Sequence, residues 1–218
     1  MSPLQPPEVA DYLTHLAVAE HRDQVLDEME LRAGEMGFPI IGRSAARFLE
    51  VAARSIGAKR VLELGSGFGY SAYFFAGAVG TDGEVVCSDL DPANADRAEG
   101  YLRRAGRWGP VRWWTGDGLE VLAAQGGEFD VIFCDVDKEA YPDCWRAAAE
   151  RLRVGGLWLC DNVLWDGRVA GYGQPGPPER EAVIDPIRDM TRLVVDDERY
   201  VSSIIPLRDG VQMALRVS

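Results

Sequence analysis

What most constrains the fold of this 218-residue chain is an alternation. Five short β-rich apolar runs, Val61–Leu64, Glu84–Cys87, Val111–Trp114, Val131–Cys134 and Leu157–Cys160, are separated by helix-like stretches near Tyr70–Val79, Ala93–Ala105, Leu119–Gln125 and Glu139–Leu152. Continuous apolar strands joined through helices form a parallel sheet covered on both faces, because each crossover lays a helix on the sheet. The alternation stops after Asp161. A Gly/Pro-rich loop over Asn162–Pro178 and a helix around Glu181–Val194 lead to two last runs, Tyr200–Pro206 and Val211–Val217, parted by the hairpin signal Leu207-Arg208-Asp209-Gly210. The expected fold is α/β: a seven-stranded, mostly parallel sheet closed by an antiparallel last strand. Glu8 to Gly57 reads as helical, with Val25, Met29 and Met36, then Phe48, Leu49, Ala52 and Ile56, near 3.6-residue spacing. With 47% apolar residues there is enough for one core. A single domain over 1–218 is expected, residues 1–57 covering the site and 58–218 forming the α/β core.

No run of about 18 apolar residues is present, and Met1-Ser2-Pro3-Leu4 is not the start of a signal peptide, so a cytoplasmic protein without a membrane segment is expected. Cys87, Cys134, Cys144 and Cys160 show no Cys-x-x-Cys spacing and are expected as free, buried thiols. The net charge of −12 argues against general attachment to nucleic acid or an anionic membrane. Of the 23 basic residues only Lys59 and Lys138 are lysine. Since arginine cannot release its proton at ordinary pH, a lysine in this chain marks a position where charge alone is not enough.

The first apolar run leads into Glu63-Leu64-Gly65-Ser66-Gly67-Phe68-Gly69-Tyr70-Ser71, a glycine-rich turn at the carboxyl end of a strand, where open α/β sheets bind ligands. Asp89, twenty positions past Gly69, is placed to accept the two hydroxyls of a ribose. Gly67-Phe68-Gly69-Tyr70-Ser71-Ala72 also fits the G-x-G-x-x-A dinucleotide pattern, which leaves a nicotinamide cofactor open. Glu63 favours S-adenosylmethionine, because a carboxylate there suits a cationic amino-acid end and repels a pyrophosphate. Asp117, in Gly116-Asp117-Gly118, reads either as an acceptor for an adenine amino group or as a helix N-cap.

The fourth run ends in Asp135-Val136-Asp137-Lys138 and the fifth in Asp161-Asn162. Adjacent strand ends bring Asp135, Asp161 and Asn162 together as a hard oxygen set suited to Mg²⁺, Mn²⁺ or Ca²⁺. Trp165 and Tyr172, on the following loop, read as one pocket wall or as a plain surface crossover. Trp113-Trp114 reads as strand packing, the two rings facing opposite sides.

These segments resemble the cation-dependent O-methyltransferases, the family of catechol and caffeoyl-coenzyme A O-methyltransferases and their bacterial relatives. The similarity rests on Val61–Gly65 with Gly69-Tyr70-Ser71, on Asp135-Val136-Asp137-Lys138-Glu139-Ala140-Tyr141, on Asp161–Val169 and on Ile205–Gly210, and it runs from about Phe38 to the C-terminus. Gly67 departs from the family form, in which a bulkier residue is common. The resemblance implies a Rossmann-like class I methyltransferase fold. It further implies a donor site of Glu63, Gly65, Ser71, Asp89, Asp117 and Asp135, a divalent metal on Asp135, Asp161 and Asn162, and Lys138 as the catalytic base.

The reaction expected from it is methyl transfer to a catechol-like or other vicinal hydroxyl of a small aromatic molecule, by a homodimer. Metal coordination favours the ionised hydroxyl, and Lys138, its pKa lowered by the same cation and by partial burial, takes the proton. His15 and His21 lie far from these motifs. Some relatives modify a hydroxylated uridine in transfer RNA, and Met29-Glu30-Leu31 with Phe38-Pro39-Ile40 is similar to them, with Arg43, Arg47 and Arg54 available to line one face. A nicotinamide-dependent oxidoreductase remains the alternative outside methyl transfer, although no Tyr-x-x-x-Lys pair accompanies the turn.

Overall fold

The structure is a computed structural model that describes residues 6–20 and 22–218. Met1 to Leu4, read above for a signal peptide, and His21 lie outside the described residues. Three helices come first: α1 (Pro7–Glu20), α2 (Gln24–Met36) and α3 (Arg43–Ser55). The stretch expected to be helical is thus three helices. Asp23 caps α2 by accepting from the Val25 N–H, and Gly37, at φ +61°, ends it with its N–H on Ala33 and Gly34.

The alternating core follows: β1 (Arg60–Leu64), α4 (Tyr70–Val79), β2 (Glu84–Asp89), α5 (Pro92–Arg104), β3 (Val111–Thr115), α6 (Gly118–Ala124), β4 (Phe129–Cys134), α7 (Tyr141–Ala149) and β5 (Leu152–Cys160). Then come α8 (Pro178–Ala182), α9 (Ile184–Asp196), β6 (Tyr200–Ile205) and β7 (Val211–Arg216), with single 3-10 segments at Lys138–Ala140 and Trp165–Ala170. Strand order is β3-β2-β1-β4-β5-β7-β6. β1 to β5 pair in parallel, and β7 runs antiparallel between β5 and β6. The seven-stranded, mostly parallel sheet with an antiparallel last strand is the architecture expected from the sequence.

The sheet carries a core on each face. One cluster joins Leu49, Phe74, Phe75 and Leu102 of α3 to α5 with Val61 and Phe133. The other joins Val121, Trp145 and Ile187 of α6, α7 and α9 with Leu62, Ile132 and Trp158. Alternate residues of one strand thus feed opposite cores, as the pleat requires. All four cysteines are free and buried. Trp113 packs against the first core while Trp114 on the next position is exposed. Among the described residues no helix is long and apolar enough to cross a membrane.

Candidate active site

Register decides which residues meet. Leu64 is level with Ser88 on one side and Cys134 on the other, and Cys134 is level with Cys160. The next residues, Gly65, Asp89, Asp135 and Asp161, therefore leave the sheet in one row at its carboxyl edge. β1 lies between β2 and β4, so the chain reverses direction across the sheet there, the point at which such sheets open a ligand crevice. A cleft of about 820 Å³ lies over this row, lined from Phe38–Ile41, the glycine turn and the loops after β2 to β5.

One end of the cleft is built by the glycine turn. Gly65 sits at φ +81°, and a Cβ there would fall 2.4 Å from the Asp135 carbonyl oxygen. The turn is tied to β2 by Ser66 N–H to Ser88 O at 2.8 Å and Ser88 N–H to Ser66 Oγ at 3.2 Å. At Gly67, φ +51°, a Cβ would lie 2.9 Å from Phe38 Cε1, so the Phe38 ring occupies the space a side chain at 67 would need. Asp89 Oδ1 accepts from the Asp91 N–H at 2.9 Å and Asn94 Nδ2 at 3.0 Å. Its Oδ2 is left without a partner among the described residues. Asp117 is the N-cap of α6, Oδ1 accepting from the N–H groups of Leu119 and Glu120, while the residue also lines the cleft. Both readings of Asp117 hold geometrically.

Gly65, Ser71, Asp89, Asp117 and Asp135 all line the cleft; Glu63 does not. It is fully buried beneath the turn, with Oε1 unpartnered and Oε2 3.6 Å from Cys87 Sγ. Burial pushes its carboxyl up to about 7, against the opposing effect of the nearby Ser71 and Ser66 hydroxyls. A buried carboxyl with one oxygen unpartnered beneath the glycine turn fits a ligand that brings a positive charge or a hydrogen-bond donor.

At the other end, Lys138 Nζ donates to Asp135 Oδ1 at 3.0 Å and to Val136 O at 3.0 Å, and lies 5.1 Å from the centre of the Tyr141 ring and 5.9 Å from that of Trp165. Burial depresses the Lys138 ammonium, as expected, but the charges of Asp135 and Asp161 outweigh it and hold the group above its ordinary value. Asp161 is buried and its carboxyl rises to about 7, chiefly through burial and then through the adjacent Asp135 charge. Asn162 Nδ2 donates to Asp161 Oδ2 at 3.2 Å. The backbone of Asn162 is left-handed at φ +58°, a conformation Asn tolerates better than most side chains.

Two carboxylates of like charge, one of them buried, beside a carboxamide oxygen are a donor set that a divalent cation fits. Among the described residues there is no group of three or more His, Cys, Asp and Glu side chains arranged for a metal, so any cation here is held by a mixed carboxylate–carboxamide set.

The cleft also contains residues to which the sequence reading gave no role. Arg208, at φ +52° in the β6–β7 turn, donates to Ile40 O at 2.7 Å and so fastens the Phe38–Ile41 segment to the end of the cleft that holds Asp161. Its signal was the hairpin motif, which announced a turn but not a direction. Arg43, Arg47 and Arg54 do not line a free basic face. Arg43 is buried on Glu30 and Asp27, and Arg47 and Arg54 both bind Glu50. His15, on α1, is outside the cleft.

The comparisons agree with this geometry. The profile of the O-methyltransferase family matches residues 15–217. The catechol O-methyltransferase of Niastella koreensis is 36% identical over 66% of this chain and 67% of its own length. The caffeoyl-CoA O-methyltransferase of Eucalyptus gunnii is 27% identical over 98% of this chain and 89% of its own. The solved structure of an O-methyltransferase from Bacillus cereus in complex with SAH has a TM-score of 0.82 at 25% identity, covering 96% of this chain and 97% of that one. Sheet order and family profile converge: the chain belongs to the O-methyltransferase family.

Proposed function

We propose that the enzyme methylates one hydroxyl of a vicinal aromatic diol on a small molecule, with a divalent cation, Mg²⁺ in the first instance, held by Asp135, Asp161 and Asn162. The observation that carries this reading is the single row in which Gly65 of the donor turn, Asp135 and Asp161 leave the sheet side by side. A methyl donor and an oxygen-liganding centre are then neighbours in one cleft.

Each residue has a definite task in this reading. The Gly65–Gly69 backbone, free of Cβ atoms, closes around the donor, the free Oδ2 of Asp89 receives the ribose, and Asp117 borders the adenine. S-Adenosylmethionine would supply a methyl group on a good leaving group, and a divalent cation held by Asp135, Asp161 and Asn162 would supply positive charge that favours the ionised form of the acceptor hydroxyl. Lys138 Nζ accepts the hydroxyl proton once the charges of Asp135 and Asp161 that hold it protonated are compensated, leaving burial to depress it. Trp165, on the cleft wall beside Lys138, excludes water.

A small acceptor is favoured over transfer RNA by charge. Nine carboxylate side chains line the cleft against three basic ones, and the α2–α3 arginines are spent on internal ion pairs. A polyanion would meet repulsion at the mouth. The test is a methylation assay over a panel of catechols and hydroxylated transfer RNA, with and without chelator. Turnover of a catechol that stops in chelator and returns with Mg²⁺ is expected. Full turnover in excess chelator would reject the cation, and methylation of transfer RNA alone would reject the acceptor class.

A further inference from the structure

Tyr141 has no part in the mechanism above, yet its position joins the two halves of the metal end. It is fully buried at the start of α7, and its hydroxyl donates to the Asp161 carbonyl oxygen at 2.8 Å. That carbonyl belongs to the peptide linking Asp161 to Asn162, the two consecutive residues assigned to the cation. The N–H of Asp161 is fixed by Cys134 O at 3.1 Å, and one residue later the chain turns into the left-handed region at Asn162. Asn adopts a positive φ more readily than most side chains, and the direction of its carboxamide then depends on what fixes the peptide plane before it. Here the hydroxyl of Tyr141 is the short donor to that plane's carbonyl, at 2.8 Å, and the Cys160 thiol is a longer and weaker one at 3.7 Å.

We infer that Tyr141 is a positioning residue of the cation site: its hydroxyl sets the plane of the Asp161–Asn162 peptide and thereby the directions in which the Asp161 carboxylate and the Asn162 carboxamide leave the backbone. The inference rests on the cation reading proposed above. Outer groups that orient ligands typically change metal affinity by about 10- to 100-fold when removed. The chain also contains its own control. Tyr200 is a second buried tyrosine whose hydroxyl donates to a backbone carbonyl, Ala149 O, at 2.7 Å, and neither residue lines the cleft.

The experiment compares wild-type protein, Tyr141→Phe and Tyr200→Phe by Mn²⁺ titration followed by electron paramagnetic resonance, with S-adenosylmethionine binding by calorimetry and thermal unfolding on the same samples. Phenylalanine keeps the ring against Lys138 and removes only the hydroxyl. Tyr141→Phe is expected to weaken Mn²⁺ binding about 10-fold while donor affinity stays within about 2-fold of wild type. Tyr200→Phe is expected to lose comparable thermal stability with Mn²⁺ binding unchanged. Equal Mn²⁺ affinity in wild type and Tyr141→Phe overturns the inference alone, as does equal weakening in both variants. Wild-type protein that binds donor but no Mn²⁺ overturns the cation reading and takes this inference with it.

Discussion

A Cβ added to Gly65 would lie 2.4 Å from the carbonyl oxygen of Asp135. The donor turn after β1 and the first proposed cation ligand after β4 are therefore in backbone contact, and neither can move without the other. The contact follows from the parallel register Leu64↔Cys134 and from Asp135 N–H donating to Leu64 O at 2.9 Å. The two halves of the cleft are mechanically one unit.

Gly65→Ala should consequently damage both halves. The new methyl group meets backbone, which cannot swing aside, and φ +81° is unfavourable for alanine by about 1–3 kcal/mol. Displacing Asp135 by an ångström is expected to lower kcat/KM by about 10²-fold, with donor affinity falling as well. Gly67→Ala, whose Cβ meets only the edge of the Phe38 ring, should be milder and should recover partly in combination with Phe38→Ala. Steady-state kinetics and donor calorimetry on the four proteins decide it. Equal losses for the two single glycine variants would disprove the backbone argument.

A second prediction concerns pH and the unliganded fold. The Glu63 carboxyl rises from 4.5 to about 7 on folding, so between those values the folded state binds the proton that the unfolded state has released. Stability is then full below about pH 4.5, falls as pH rises through the window and is level above about 7. The whole shift corresponds to a loss on the order of 3 kcal/mol. Asp161, also raised to about 7, adds in the same direction. Chemical denaturation of donor-free protein from pH 5 to 8 should show wild type losing stability and Glu63→Gln losing visibly less. Parallel slopes for the two proteins would remove Glu63 as the cause.

How much of this was legible in the sequence depended on whether the signal was local. The apolar runs at Val61, Glu84, Val111 and Val131 gave strands within a residue or two, because parallel strands are apolar on both faces. β5 begins at Leu152 and not at Leu157, since Gly155, at φ +80°, and Gly156 look like a turn while the paired register with β4 merely shifts past them. The helix expected around Glu181–Val194 is two, separated at Val183. The N-terminal stretch reads as helical without boundaries, although Gly37 and Pro39 punctuate it between α2 and α3. Asp135 and Asp161 could be singled out because each directly follows a strand, and Lys138 because it is one of two lysines among 23 basic residues. The Tyr141 hydroxyl on Asp161 O spans twenty residues with no periodicity to announce it, and the burial of Glu63 below the cleft depends on the pleat of β1.

The last prediction separates two roles for Lys138. Its ammonium is placed by Asp135 Oδ1 and Val136 O and faces the rings of Tyr141 and Trp165, so a cation at this position has a structural use whether or not it exchanges a proton. Arginine preserves the charge and can reach Asp135, but it cannot accept a proton at working pH. If Lys138 is the base, Lys138→Arg should fail nearly as badly as Lys138→Ala, by about 10²–10⁴-fold in kcat. If it only anchors Asp135, arginine should restore most of the rate that alanine loses. The acceptor must be a catechol still protonated in solution near neutral pH, because an acceptor already ionised needs no base and would hide the difference. Donor affinity should remain close to wild type in both variants, since Lys138 lies at the far end of the cleft from Asp89 and Asp117. Lys138→Arg at near wild-type kcat on such a catechol assigns the residue to positioning and leaves ionisation of the hydroxyl to the cation alone.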